Sequence, residues 1–216
     1  VTGDPAVLLV EPGASQADIA AIHKQFGLHR PLAVQYWKFM SSLFQGDLGK
    51  SFYYQTPVMQ LYLDRLPNSL LLAFVAMTLS LLIGIPAGIM ASVQVGRFWD
   101  GFGKLFTLLG LSLPSFLVGL LLILVFSVYL GWLPSSGAGT PLHLIMPAFA
   151  LGWYFAASHM RLTRSSMLEV LGSEYIKLAR LKGLPQYMVI AKHAFKNALI
   201  PVLTLAGINL VIMVNV

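Results

Sequence analysis

The chain has 216 residues, 57% of them hydrophobic and only 10% charged, and its mean hydropathy is +0.76. A soluble domain carries about 25% charged residues, so the composition excludes a water-soluble globular protein and marks an integral membrane protein. The net charge of +6 invites a nucleic-acid reading that the placement of the charges removes below. The absence of cysteine excludes a disulfide framework, thiol catalysis and Cys-based metal sites.

Residues 1–67 are mixed, with five basic side chains (Lys24, Arg30, Lys38, Lys50, Arg65) and five acidic ones (Asp4, Glu11, Asp18, Asp47, Asp64). "SQAD", Ser15 to Asp18, has capping-box spacing, and Gly27 is a natural stop, which predicts a helix from about Gln16 to Phe26. Pro31 suits the first turn of a second helix that fades before "GDLG", Gly46 to Gly49. "GDLGKS" ends like a phosphate-binding loop, but that pattern needs glycine five residues before Gly49, and Phe44 stands there; it is read as a turn. The region is expected to be a small folded extramembrane segment. Val1 is not Met and "INLVIMVNV" stops inside a hydrophobic run, so the chain reads as a piece of a longer protein with material missing at both ends.

Between Arg65 and Arg97 lie 31 uncharged residues, and between Lys104 and Arg161 lie 56. A helix rises about 1.5 Å per residue, so roughly 20 apolar residues cross a hydrocarbon core of about 30 Å. The first run predicts one span at about 68–94. The second is too long for one span, and the turn cluster "GWLPSSGAGTP", Gly131 to Pro141, divides it into spans at about 105–130 and 142–160. A fourth opens near Ala198 and runs to the end. "GIPAG", Gly84 to Gly88, places two small residues one turn apart around Pro86, which allows close helix packing and a kink, and Pro114 allows another.

The loop at 95–104 carries Arg97 and Lys104 against Asp100, and Arg161–Lys196 carries seven basic residues (Arg161, Arg164, Lys177, Arg180, Lys182, Lys192, Lys196) against Glu169 and Glu174. Basic loops stay cytoplasmic. The alternation places 1–67 and 131–141 outside, and 95–104 and 161–197 inside. Phe98 and Trp99 then sit at the inner interface, and Tyr129 and Trp132 at the outer one. Topology thus accounts for the basic excess without nucleic acid. "GFG", Gly101 to Gly103, lacks the third glycine of a dinucleotide fingerprint. His143 and His159 are a whole span apart, cannot share a metal, and are expected at the two interfaces. Ser80, Ser112 and Ser115 have no base nearby in sequence, so intramembrane hydrolysis has no support. No Asp, Glu, Lys or Arg falls inside a predicted span, which weighs against ion- or proton-coupled carriage.

The stretch "EYIKLARLKGLPQYMVIAKHAFKNALIP", Glu174 to Pro201, interrupts the apolar chain. Tyr175, Leu178 and Leu181 make one stripe of a helix, flanked by Lys177 and Arg180. Gly183 is a natural residue to follow the helix and Pro185 a natural first-turn residue for the next. A second amphipathic helix is expected at about Gln186–Asn197, with Met188, Val189 and Phe195 opposite Lys192 and Lys196. Such a basic helix either lies on the anionic inner leaflet or presents a knob to a cytoplasmic partner. Its short length and sharp turn favour the knob.

This stretch resembles the EAA-loop of ABC-importer permeases in the version of the dipeptide/oligopeptide/nickel family, through "EYIKLARLKGL" and "KHAFKNALIP". The resemblance extends over the chain: "GDP" (Gly3–Pro5), "FGLHRPLAVQYWKF" (Phe26–Phe39), "GDLGKSF" (Gly46–Phe52), "RLPNSLLL" (Arg65–Leu72), "GWLPSSG" and "RLTRSSMLEVL" (Arg161–Leu171) look like the family's B-type subunit. It implies an all-α type I permease of six spans in a bacterial inner membrane. The implied partners are a similar C-type permease, two cytoplasmic ATPase subunits that bind ATP and Mg, and an external solute-binding protein, with peptide as substrate or alternatively nickel, glutathione or haem. No cofactor and no catalysis are expected in this chain. The helix before Gly183 would be the coupling helix, with contacts drawn from Glu174, Tyr175, Lys177, Leu178, Ala179, Arg180, Leu181, Lys182, Gly183 and Leu184. The general EAA motif has glutamate six residues before its glycine, where this chain has Lys177, so no contact through a carboxylate at that position carries over. The reading of another class is a stand-alone channel or secondary carrier with a lipid-lying loop.

Overall fold

A computed structural model describes residues 15–51 and 53–215, so the "GDP" motif and Phe52 lie outside the described residues. The chain separates into two compact units at Pro67. In the first, α1 (Gln16–Phe26) and α2 (Leu32–Phe44) have the bounds that Gly27 and Pro31 suggest. Gln35 Nε2 on α2 donates to the carbonyls of Leu28 (3.2 Å) and Arg30 (2.7 Å), fixing the turn between the helices. "GDLGKS" is an Asx-type turn, in which Asp47 Oδ1 accepts the Gly49 N–H at 2.8 Å.

The remaining elements are α3 (Val58–Val93), α4 (Phe98–Ser112), α5 (Ser115–Tyr129), α6 (Leu142–Leu171), α7 (Glu174–Leu181) and α8 (Gln186–Val214). Alone, α3 and α8 are long and apolar enough to cross a membrane, and α4 with α5 makes a third crossing if the bent pair is one span. That pair differs from the single span expected at 105–130, because the chain turns through 101° between its halves. Leu113 is extended (φ −85°, ψ 120°) ahead of Pro114, since the proline ring disfavours helical backbone at the preceding residue and Pro114 has no N–H to continue the ladder. Beyond it, α5 widens into π-type turns over Ile123–Tyr129.

Three other helices outrun their expected limits. α3 begins at Val58, not near residue 68, and takes in Asp64 and Arg65. α6 continues through the basic residues Arg161 and Arg164 as far as Leu171. The helix expected to end near Asn197 is continuous with the last span, its second and third turns being π-type over Val189–Ala194. α6 is less apolar than α3 and α8, and its position explains this. It packs against α4, α5 and α8, and a helix enclosed by protein need not be uniformly apolar.

Small residues set the packing. Ala73, Ala76 and Met77 of α3, Ala148 and Phe155 of α6, and Ala206 and Met213 of α8 form one buried cluster. At Gly84 a side-chain carbon would stand 2.7 Å from the Ala156 carbonyl oxygen, and at Gly88 one would stand 2.7 Å from that of Met160. "GIPAG" therefore serves close approach of α3 to α6, where dispersion rather than the hydrophobic effect holds helices together in lipid.

Two buried polar groups were not legible as such in the sequence. His159, expected at an interface, is fully buried, and it stands between Ser80 of α3 (Oγ to Nδ1, 3.3 Å) and Asn209 of α8 (Nδ2 to Nε2, 3.3 Å). Ser80 thus has an imidazole beside it, contrary to expectation. Yet Ser80 Oγ donates its one proton to the Met77 carbonyl at 2.8 Å. Asn209 Nδ2 can only donate to Nε2, so a neutral His159 protonated on Nδ1 satisfies all three groups. In that arrangement the serine accepts from the histidine, the reverse of an activated nucleophile, and neither side chain is exposed. The trio ties three helices together. Asp100, read as a loop charge, is also buried. It accepts from the Gly96 N–H (3.0 Å), Lys104 Nζ (2.9 Å) and Arg164 Nε (2.8 Å), which fastens the start of α4 to α6.

Candidate functional site

α7 is a helix of eight residues between two chain reversals. At its start Ser173 is extended (φ −72°, ψ 154°) and breaks the path from α6. At its end Gly183 takes φ +77°, its N–H donates to the Arg180 carbonyl (3.0 Å), and the Leu184 N–H reaches back to that of Ala179 (3.4 Å). This is the paired bond pattern of a Schellman motif. An added carbon at Gly183 would meet nothing within 4 Å, so glycine is needed there for its left-handed backbone and not for space. Pro185, with φ −65°, then opens α8.

The two faces of α7 differ. Ile176 and Ala179 are buried, and Ile176 packs with Met167 of α6 and with Val189, Ala194 and Ala198 of α8. The opposite face carries Tyr175 (41% exposed), Leu178 (56%) and Leu181 (83%). Of the ten residues singled out in the sequence, Glu174, Tyr175, Lys177, Leu178, Arg180, Leu181, Lys182 and Gly183 are exposed. Leu184 is half-buried against the α6–α8 cluster, and Ala179 faces inward and offers no outer surface. Ile176 was missed. The i, i+3 stripe drew attention to the outward face, whereas the inward anchor sits between its members.

Polar contacts stiffen the same unit. Asn197 Nδ2 of α8 donates to Tyr175 Oη at 2.8 Å, so the Tyr175 ring is held from its far end. Lys177 Nζ lies 2.7 Å from Glu174 on the exposed surface, an i, i+3 pair whose screened attraction contributes little to stability. Ile176 thus ties α7, whose outer face carries Leu178 and Leu181, to the adjoining ends of α6 and α8.

Residues 84–215 match the family described as "Binding-protein-dependent transport system inner membrane component", and residues 1–73 match its N-terminal companion, "Binding-prot-dependent transport system membrane comp, N-term". The chain is 40% identical over 207 residues to the glutathione transport system permease protein GsiC of Escherichia coli K12, covering 96% of this chain and 68% of that protein. It is equally similar to the protein of that name from Salmonella typhimurium LT2. To the oligopeptide transport system permease protein AppB of Bacillus subtilis it is 42% identical over 218 residues, covering 95% of this chain and 69% of the relative. These matches cover α7 together with the apolar helices on both sides of it. The chain belongs to the family of inner-membrane components of binding-protein-dependent transport systems, the permeases of ABC importers.

Proposed function

We propose that this permease forms half of a translocation path for peptides and that α7 is the helix through which cytoplasmic ATPase subunits drive it. Binding-protein-dependent ABC import in general requires a partner permease, ATPase subunits and a solute-binding protein. In this reading the partner is a C-type permease, two ATP-binding subunits carry ATP and Mg on the cytoplasmic side, and this chain contributes no catalytic group or cofactor. Residues 1–67 face the outside, where the binding protein delivers substrate. Relatives named for oligopeptide and for glutathione, itself a tripeptide, support a peptide-sized cargo.

The observation that carries the coupling role is the two-faced construction of α7: an outward apolar stripe on a helix anchored inward by Ile176 to both α6 and α8. A helix lying on lipid needs the outward stripe alone. A lever needs the anchor as well. Full burial of a leucine stabilises by about 1.5–3 kcal/mol, and docking of the half-exposed Leu178 would recover roughly half of that. Leu178→Asp in the importer reconstituted with its binding protein is expected to abolish ATP-driven peptide uptake while the subunit still inserts and folds. Undiminished uptake in that variant would refute the coupling role.

A further inference from the structure

We propose that the groove between α4 and α6 is a binding site for an anionic phospholipid of the leaflet that faces the basic loops. The groove is open and offers about 380 Å³, within the roughly 300–1,000 Å³ range of small-molecule sites, and is lined by Lys104, Arg161, Arg164, Leu108, Leu111 and Ser112 among others. Lys104 and Arg164 both bind the buried Asp100. Arg161, one turn from Arg164 on α6, makes no ion pair among the described residues. Three cations thus face one carboxylate, and the mouth keeps two positive charges in excess. Those charges sit at one end. From there Leu108 and Leu111 continue along α4, beside the exposed Leu105 and Leu109.

The dimensions select a lipid over a soluble anion. From Lys104 to Ser112 is eight residues, about 12 Å of helix, close to the roughly 15 Å depth of one hydrocarbon leaflet. A phosphate at Arg161 and Arg164 would let its acyl chain lie along Leu108 and Leu111, whereas free phosphate has no use for the apolar lane. Basic pockets between membrane helices on the cytoplasmic side hold anionic headgroups in this way. Lys104 and Arg164 also hold Asp100, so an occupied site would brace the link between α4 and α6.

The inference rests on the sidedness proposed above, but its readout is retained lipid and not uptake, so its failure is distinct from a failure of the transport reading. The assembled importer is taken from vesicles of phosphatidylethanolamine and phosphatidylglycerol at 3:1, and bound lipid is counted by native mass spectrometry. Arg161→Gln, which leaves the Asp100 pairs intact, is expected to lower retained phosphatidylglycerol about fivefold, the size of one basic side chain's attraction to an anionic leaflet. Arg97→Gln, a loop cation outside the groove, is expected to leave it unchanged. Inorganic phosphate at 10 mM (roughly physiological) is expected not to displace the lipid, since a charge-only contact is the kind that salt screens. Equal retention in the two variants, or displacement by phosphate alone, would overturn the proposal. Because the chain lacks cysteine, Leu108→Cys carrying a photoreactive maleimide reports the occupant directly. Cross-linking to phosphatidylglycerol is expected, and cross-linking to the partner permease instead would show that protein covers the groove and refute the lipid site.

Discussion

Replacing Gly183 tests whether the turn after α7 acts through backbone conformation, and the structure grades the outcome. Gly183 sits at φ +77° with nothing within 4 Å of an added side-chain carbon. Alanine there meets no clash, and its whole cost is the left-handed backbone, about 1–2 kcal/mol. That lowers the ratio of formed to unformed turn by a factor of roughly 5–30. Asparagine, which tolerates this region, should cost less. Proline should cost more than either, because its φ is fixed near −65° and it deletes the bond from the Gly183 N–H to the Arg180 carbonyl, worth about 1 kcal/mol. The assay is the number of peptides imported per ATP hydrolysed by the reconstituted importer. The expected order is glycine, then asparagine, then alanine, then proline, with proline near zero. Equal coupling in alanine and proline, or asparagine as damaging as proline, would refute the conformational reasoning.

Elsewhere, Asn209→Leu leaves the buried Nε2 of His159 without a donor, which costs about 1–3 kcal/mol. The importer's thermal midpoint in detergent should fall, and the double variant His159→Leu/Asn209→Leu should recover most of the loss. Lys177→Ala removes an exposed pair with Glu174 worth no more than about 1 kcal/mol, so uptake should stay within about twofold of the parent. A large loss in uptake would show that Lys177 itself meets the partner.

Helix bounds set by local chemistry were readable from residues alone. Gly27 ends α1, Gly183 ends α7, and Pro185 opens α8, because each acts on its own backbone. Features made by tertiary contact were not. His159 and Ser80 are 79 residues apart, and no spacing rule brings α3 beside α6; only the fold turns two polar residues into one buried trio with Asn209. Asp100 read as a loop charge for the same reason, its partner Arg164 being 64 residues away. Pro114 advertised a bend, but its 101° extent depends on what the two halves pack against. Hydropathy placed α6 yet stopped it at Arg161, because charge marks the edge of a lipid-facing helix and α6 is largely enclosed by its neighbours. On α7 the apolar stripe was legible and the anchor was not, since Ile176 is apolar in sequence whichever way it points.

The coupling role of α7 turns on whether its outward face meets an ATPase subunit. Leu181 is the most exposed member of the stripe, and in a chain without cysteine Leu181→Cys is a unique handle. With a short cross-linker in the assembled importer, it should join the ATP-binding subunit, and the yield should differ between nucleotide-free and ATP-trapped states. Leu181→Cys that is freely labelled from the membrane in both states, with no cross-link to the ATPase subunit, would rule out that role.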